Sequence, residues 1–158
     1  MLSEGKPTSS SSLFENSDGM TWPASNAVQN NSNLQNDCIW HNPGSVAIMG
    51  GTDLYWQVDL EDIFLITQIQ IYGFNLIGYS DNVQFSVCND ADGTDCIACG
   101  VLISTTPGAW VQLDCSVRGR FVRLTNSNSG DIGGQQKNWH FCRVAVYGAD
   151  VGIFEYFC

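Results

Sequence analysis

Two stretches decide the fold: Tyr55-Trp56-Gln57-Val58-Asp59-Leu60 and Ile66-Thr67-Gln68-Ile69-Gln70-Ile71-Tyr72. In each, apolar and polar residues alternate, with Val and Ile set against Gln. That period of two is the mark of a strand with one face on a core and one in water. Downstream, Val83-Gln84-Phe85-Ser86-Val87 repeats the pattern, and 100–104, 110–113, 120–124 and 142–147 extend it. Upstream, 5–12 is a Ser-rich linker or a polar edge strand with Pro7 at its start. Residues 16–42 are dense in Asn, Ser, Gln and Asp, which predicts ordered loop with one short helical turn at 25–28. Roughly seven or eight short strands, without a helix of about ten residues, predict an all-β antiparallel sandwich or barrel.

The 158 residues suit one domain, with a core over about 3–148 and an extension at 149–158. A composition of 16 Gly and only 14% charged residues fits a turn-rich β fold better than a helical one. The net charge is −10, and no Lys or Arg occurs between Lys6 and Arg118. Nucleic acid and anionic membranes recruit clustered Lys and Arg, so neither is an expected partner, and a neutral or cationic ligand fits better. Seven cysteines point to an oxidising compartment and a disulfide framework, hence to a secreted or cell-surface protein. The odd one, Cys158, is compatible with a free thiol, an intermolecular link or the stub of a longer precursor. No segment reaches the ~18 apolar residues of a membrane span, and 1–8 lacks a leader-like apolar stretch, so for a secreted protein a removed or replaced leader is expected. Asn30-Asn31-Ser32 is a glycosylation sequon. The sequence carries no signal for an oligomeric state.

Five segments in order, Gly5-Lys6-Pro7-Thr8-Ser9, Asn26-Ala27-Val28, Trp56-Gln57-Val58-Asp59-Leu60, Gly119-Arg120-Phe121-Val122-Arg123-Leu124 and Cys142-Arg143-Val144-Ala145-Val146-Tyr147-Gly148, resemble the F-type lectins (fucolectins) of the discoidin, or factor V/VIII C-type, superfamily. The resemblance runs from about Ser3 to Gly148. It implies a discoidin-like jelly roll with loops gathered at one mouth, and a role in carbohydrate binding or cell adhesion. It further implies that Cys38 joins Cys142, and that Cys99 with Cys115 ties two neighbouring strands. Cys88 and Cys96 then remain to close the turn-rich loop between them.

The same resemblance marks departures. The family holds fucose with a His and two Arg, whose planar forks donate paired hydrogen bonds. The corresponding loop here, 73–82, contains no arginine, so fucose is not the expected sugar, although His41 stands near the family's histidine. The family's calcium site has Gln29 in place of an Asp and Arg143 in place of a Glu. A guanidinium repels a cation that wants oxygen ligands, so Arg143 is expected to fill the site as a built-in cation paired with an acid. No cofactor is expected. Asn26, Asn31 and Asp37 are the remaining calcium candidates.

Aromatic faces stack on the C–H patches of sugar rings, which singles out Trp22, Trp40, Phe74, Tyr79 and Trp139 in predicted loops. Trp56 and Trp110, on alternating strands, are assigned to the core. The candidate ligand contacts are therefore His41, Phe74, Asn75, Tyr79, Asp81 and Trp139. Asp90-x-Asp92-Gly93-x-Asp95 crowds carboxylates as calcium loops do, but it lacks the Glu that completes an EF-hand and is better taken as an Asp-Gly turn. Cys96-Ile97-Ala98-Cys99 lies between a turn and a strand, where a redox pair has no helix to activate it. No nucleophile elbow, metal-binding helix or phosphate loop is present, which argues against an enzyme. The expected function is a non-catalytic glycan- or glycoprotein-binding module that is not fucose-specific. The alternative is a protein-binding or adhesion module using the apolar run Phe74 to Tyr79.

Overall fold

The computed structural model describes residues 1–11, 18–19, 21–30, 46–48 (backbone), 54–73, 82–103, 106–126 and 139–151. Seven strands form: β1 (Thr8–Ser10), β2 (Val46–Ile48), β3 (Leu54–Gly73), β4 (Val83–Cys88), β5 (Cys96–Leu102), β6 (Trp110–Asn126) and β7 (Trp139–Asp150), with a 3-10 turn at Ala24–Val28. All pairings are antiparallel, in the order β2-β7-β3-β6-β4-β5, and β1 adds to β3.

Two long strands serve both layers of the sandwich. The first part of β3, 54–59, pairs with β1 and with the end of β6, 121–126, on which β4 also lies. The second part, 64–73, pairs with the start of β6 and with β7. Between Asp59 and Phe64 the register of β3 against β6 jumps, and Glu61 turns the corner with φ +68°. Asp59 holds that corner: its carboxylate accepts Glu61 N at 2.8 Å and both Arg120 Nε (2.7 Å) and Arg120 Nη2 (2.8 Å). The Arg120 guanidinium accordingly keeps the Asp59 carboxyl below its ordinary range. Lys6 pairs with Glu61 beside it.

Apolar side chains of both layers meet in one core containing Trp56, Val58, Phe85 and Leu124 from the first layer and Ile69, Ile71, Phe141 and Val144 from the second. Strict alternation would put Ile66 and Ile69 on opposite faces, yet both are fully buried. A bulge at Thr67 resolves this, since Ile66 opposes Gly148 while Gln68 opposes Tyr147. Disulfides join Cys88 to Cys96 and Cys99 to Cys115, as the resemblance implied. The second differs in what it ties. β5 has β4 for its ladder neighbour, so Cys99–Cys115 links the edge of one layer to the edge of the other. Each bridge constrains the unfolded chain by an amount on the order of 2–4 kcal/mol. Cys142 is also disulfide-bonded; Cys38 lies outside the described residues.

Gly148 sits where β7 crosses the bulge, and a Cβ there would come 2.4 Å from the Leu65 carbonyl oxygen and 3.1 Å from Leu2 Cδ1. A backbone oxygen cannot rotate away. Gly148→Ala is therefore expected to cost about 2 kcal/mol, read as a lower urea midpoint with an unchanged slope.

Candidate functional site

The corner closes one end of the sandwich, and the strand ends at the other end carry the candidate rim. There Leu54 and Val83 both oppose Asn126, and Gly73 opposes Phe141. Trp56, near the start of β3, meets Phe141, near the start of β7, edge to face at 5.8 Å, so both layers are joined at this end. Segments 74–81 and 127–138 leave from these strand ends. Of the sequence-predicted contacts, His41, Phe74, Asn75, Tyr79 and Asp81 lie outside the described residues, as do Trp40, Asn31 and Asp37.

Trp139 is described, and its place corrects the expectation of a ligand-stacking loop residue. It opens β7, is 1% exposed, and packs against Phe141 with ring centroids 5.0 Å apart. The register slip between Tyr72 and Gly73 against β7 turns Trp139 and Phe141 inward along with Val144 and Val146, so the indole has no free face. Trp22 is likewise buried. The reverse holds for Trp110, assigned to the core from sequence: it is 40% exposed, on the outer face of β6, and meets Tyr72 edge to face at 5.4 Å. Strand alternation was the available signal, because Trp110 shares parity with Gln112 and Asp114, not with Val111 and Leu113.

The described residues do not present a calcium ligand set. Arg143, where the resemblance would place a carboxylate, is 7% exposed on β7 opposite Tyr72. The Asn26 side-chain oxygen accepts Gln29 Nε2 at 3.3 Å; the calcium candidate on this residue is its backbone carbonyl. No cluster of three His, Cys, Asp or Glu able to hold a metal occurs among the described residues. In the 89–95 loop the carboxylates serve the loop itself. Asp90 accepts Gly93 N, Thr94 N, Thr94 Oγ1 and Asp95 N at 2.6–3.0 Å, and these bonds, the Thr94 hydroxyl first, hold its carboxyl below the ordinary range. Gly93, at φ +77°, lets the turn lie flat on Arg123, whose guanidinium stacks on Tyr55 at 3.8 Å and donates to Gln57 Oε1 at 3.1 Å. This is the Asp-Gly turn expected from sequence, clamped onto the outside of the first layer.

His140, next to Trp139, is held neutral by burial, its pKa pushed down to about 4. No helix among the described residues is long and apolar enough to cross a membrane.

Neither models of protein families nor curated proteins gave a match to this chain. Solved structures gave many. A fucolectin from striped bass (Morone saxatilis) serum superposes with a TM-score of 0.74 at 21% identity, over 94% of this chain and 47% of the lectin; the chain thus spans about half of that protein. A Streptococcus pneumoniae fucose-binding module gives 0.70 at 16% identity, over 93% of this chain and 94% of the module. A chitosan-binding module of a chitosanase/glucanase from Paenibacillus sp. IK-5 gives 0.66 at 18%, over 93% and 98%. The class defined here is thus the antiparallel jelly-roll sandwich of F-type lectins and carbohydrate-binding modules. At these identities the likeness is one of fold, the same fold that the sequence resemblance implied.

Proposed function

We propose that this chain is a secreted, non-catalytic carbohydrate-binding module, a divergent F-type lectin that engages a glycan or glycoprotein through the rim and is not specific for fucose. The observation that carries this reading is the shared fold: glycan-binding modules superpose on nine-tenths of the chain or more. Non-fucose specificity rests on the absence of arginine from 73–82. His41, Asn75 and Asp81 are the polar contacts in this reading, and Phe74 and Tyr79 supply apolar faces. In this reading calcium plays no part, because Arg143, buried on β7, stands where the family resemblance puts a carboxylate ligand, and a guanidinium repels a cation.

The test is a glycan array with the folded protein, run beside a fucose column, with and without chelator. Hits sharing one terminal sugar, passage through the fucose column, and equal signals in chelator are expected. Silence across the array from a protein that still melts cooperatively would defeat the lectin reading and leave the protein-binding module in its place. Retention on fucose would defeat the specificity claim, and loss of signal in chelator the calcium claim.

A further inference from the structure

The second layer carries a feature that recognition at the rim does not use. Inward packing of Val111, Leu113, Cys115 and Val117 turns Trp110, Gln112 and Asp114 outward. On β3, Ile69 and Ile71 point in, which sets Gln68, Gln70 and Tyr72 on the opposite face. The two glutamines are half-buried there, and Tyr72 is buried at 5% beside the similarly covered Arg143 of β7, so the open part of the face runs from Trp110 over Gln112 and Asp114 to Tyr147. Pairing sets these side chains in rows. Trp110 faces Tyr72, Gln112 faces Gln70, and Asp114 faces Gln68, which on its other side faces Tyr147 of β7. An amide ladder runs down the middle: Gln70 Nε2 donates to Gln68 Oε1 at 2.8 Å, and Gln68 Nε2 to Asp114 Oδ1 at 3.5 Å. An exposed aromatic ring stands at each end, Trp110 at 40% and Tyr147 at 37%.

We propose that this outer sheet face is a second binding surface, separate from the rim, for a neutral linear polysaccharide. Side-chain amides donate and accept without charge, as sugar hydroxyls do, and aromatic rings cover the C–H faces of pyranoses. Tyr72 fixes the Trp110 ring at 5.4 Å and 69°, so little side-chain freedom is lost on binding. Four residues along β3 and two strand spacings across it place Trp110 and Tyr147 about 16 Å apart, farther than one sugar ring reaches. The ligand is therefore a chain with a ring at either end of the ladder. A protein partner would want the opposite layout, an apolar centre with a polar rim. The Asp114 carboxylate, in a chain of net charge −10, disfavours an acidic polysaccharide.

Native affinity electrophoresis tests this, with galactomannan, hydroxyethylcellulose or laminarin cast in the gel. The wild-type chain is expected to be retarded in at least one gel. Trp110→Ala and Tyr147→Ala should each weaken binding roughly tenfold or more, and Trp110→Phe, which keeps a ring, should recover most of it. A control variant outside both surfaces, Ile97→Ala on β5, should migrate like wild type, and a rim variant, Asn75→Ala with Asp81→Ala, should still be retarded. Should Trp110→Ala fail to fold, Trp110→Phe and Tyr147→Ala decide. Absence of retardation in every gel, wild-type migration of the aromatic variants, or loss confined to the rim variant would each overturn the proposal. A positive glycan array alongside any of those results leaves the rim reading standing without it.

Discussion

Trp56→Ala is expected to remove about 3–5 kcal/mol of stability, a large share of the roughly 5–15 kcal/mol that holds a domain folded. Trp56 is fully buried and joins three parts of the molecule. Its ring packs edge to face on Phe141 of the second layer at 5.8 Å, while Nε1 donates to the Ala24 carbonyl of the 3-10 turn at 2.9 Å. Truncation leaves a cavity between the layers and removes the hydrogen bond that ties β3 to the 3-10 turn, and close-packed surroundings collapse only in part. At ~2–4 °C per kcal/mol for a chain of this size, the melting temperature should fall by roughly 6–20 °C, measured with the disulfides oxidised. Trp56→Phe keeps the ring contact and loses the hydrogen bond, so it should fall between wild type and Ala. A drop of only a degree or two in Trp56→Ala would mean that Trp56 does not bridge the layers.

Fold class was legible because alternation is a local signal, and strand after strand of it leaves few ways to bury one face of each. What stayed hidden depends on register, which no single strand carries. The bulge at Thr67 and the slip beside Gly73 reset the parity of β3 and β7, and they decide that Ile66 and Trp139 face the core. Trp139 was misplaced because its Gly-rich flank reads as loop. Trp110 differs: a place on an alternating strand does not say which face a residue takes, and its parity with Gln112 and Asp114 points it outward. Tryptophan is large and seldom fully buried, so its hydrophobicity alone does not assign it to the core. Two disulfide pairings followed from the resemblance, yet the role of Cys99–Cys115 as a clasp between layers did not, since it requires knowing that β5 and the start of β6 are edges of different layers. The rim candidates belong to the family's loop pattern, which names positions without their geometry.

Acid should weaken the fold before carboxylate protonation does, and His140 is the reason. Burial lowers its folded pKa from 6.5 to about 4. Between those values the unfolded chain binds a proton that the folded chain does not, so stability falls as pH drops through this window and is level with respect to this group above it. The shift corresponds to about 3 kcal/mol across the window. Asp59 and Asp90 work in the same direction at lower pH. Both are held below 3.8, so the stability they confer is present above that value and lost only as pH falls beneath it. Urea midpoints measured from about pH 7 down to about pH 4.5 should therefore decline in wild type and stay nearly flat in His140→Gln, which cannot take up the proton. Equal slopes in the two proteins would show that the imidazole is hydrated in the folded state and that β2 does not shield it where Ala47 pairs with His140.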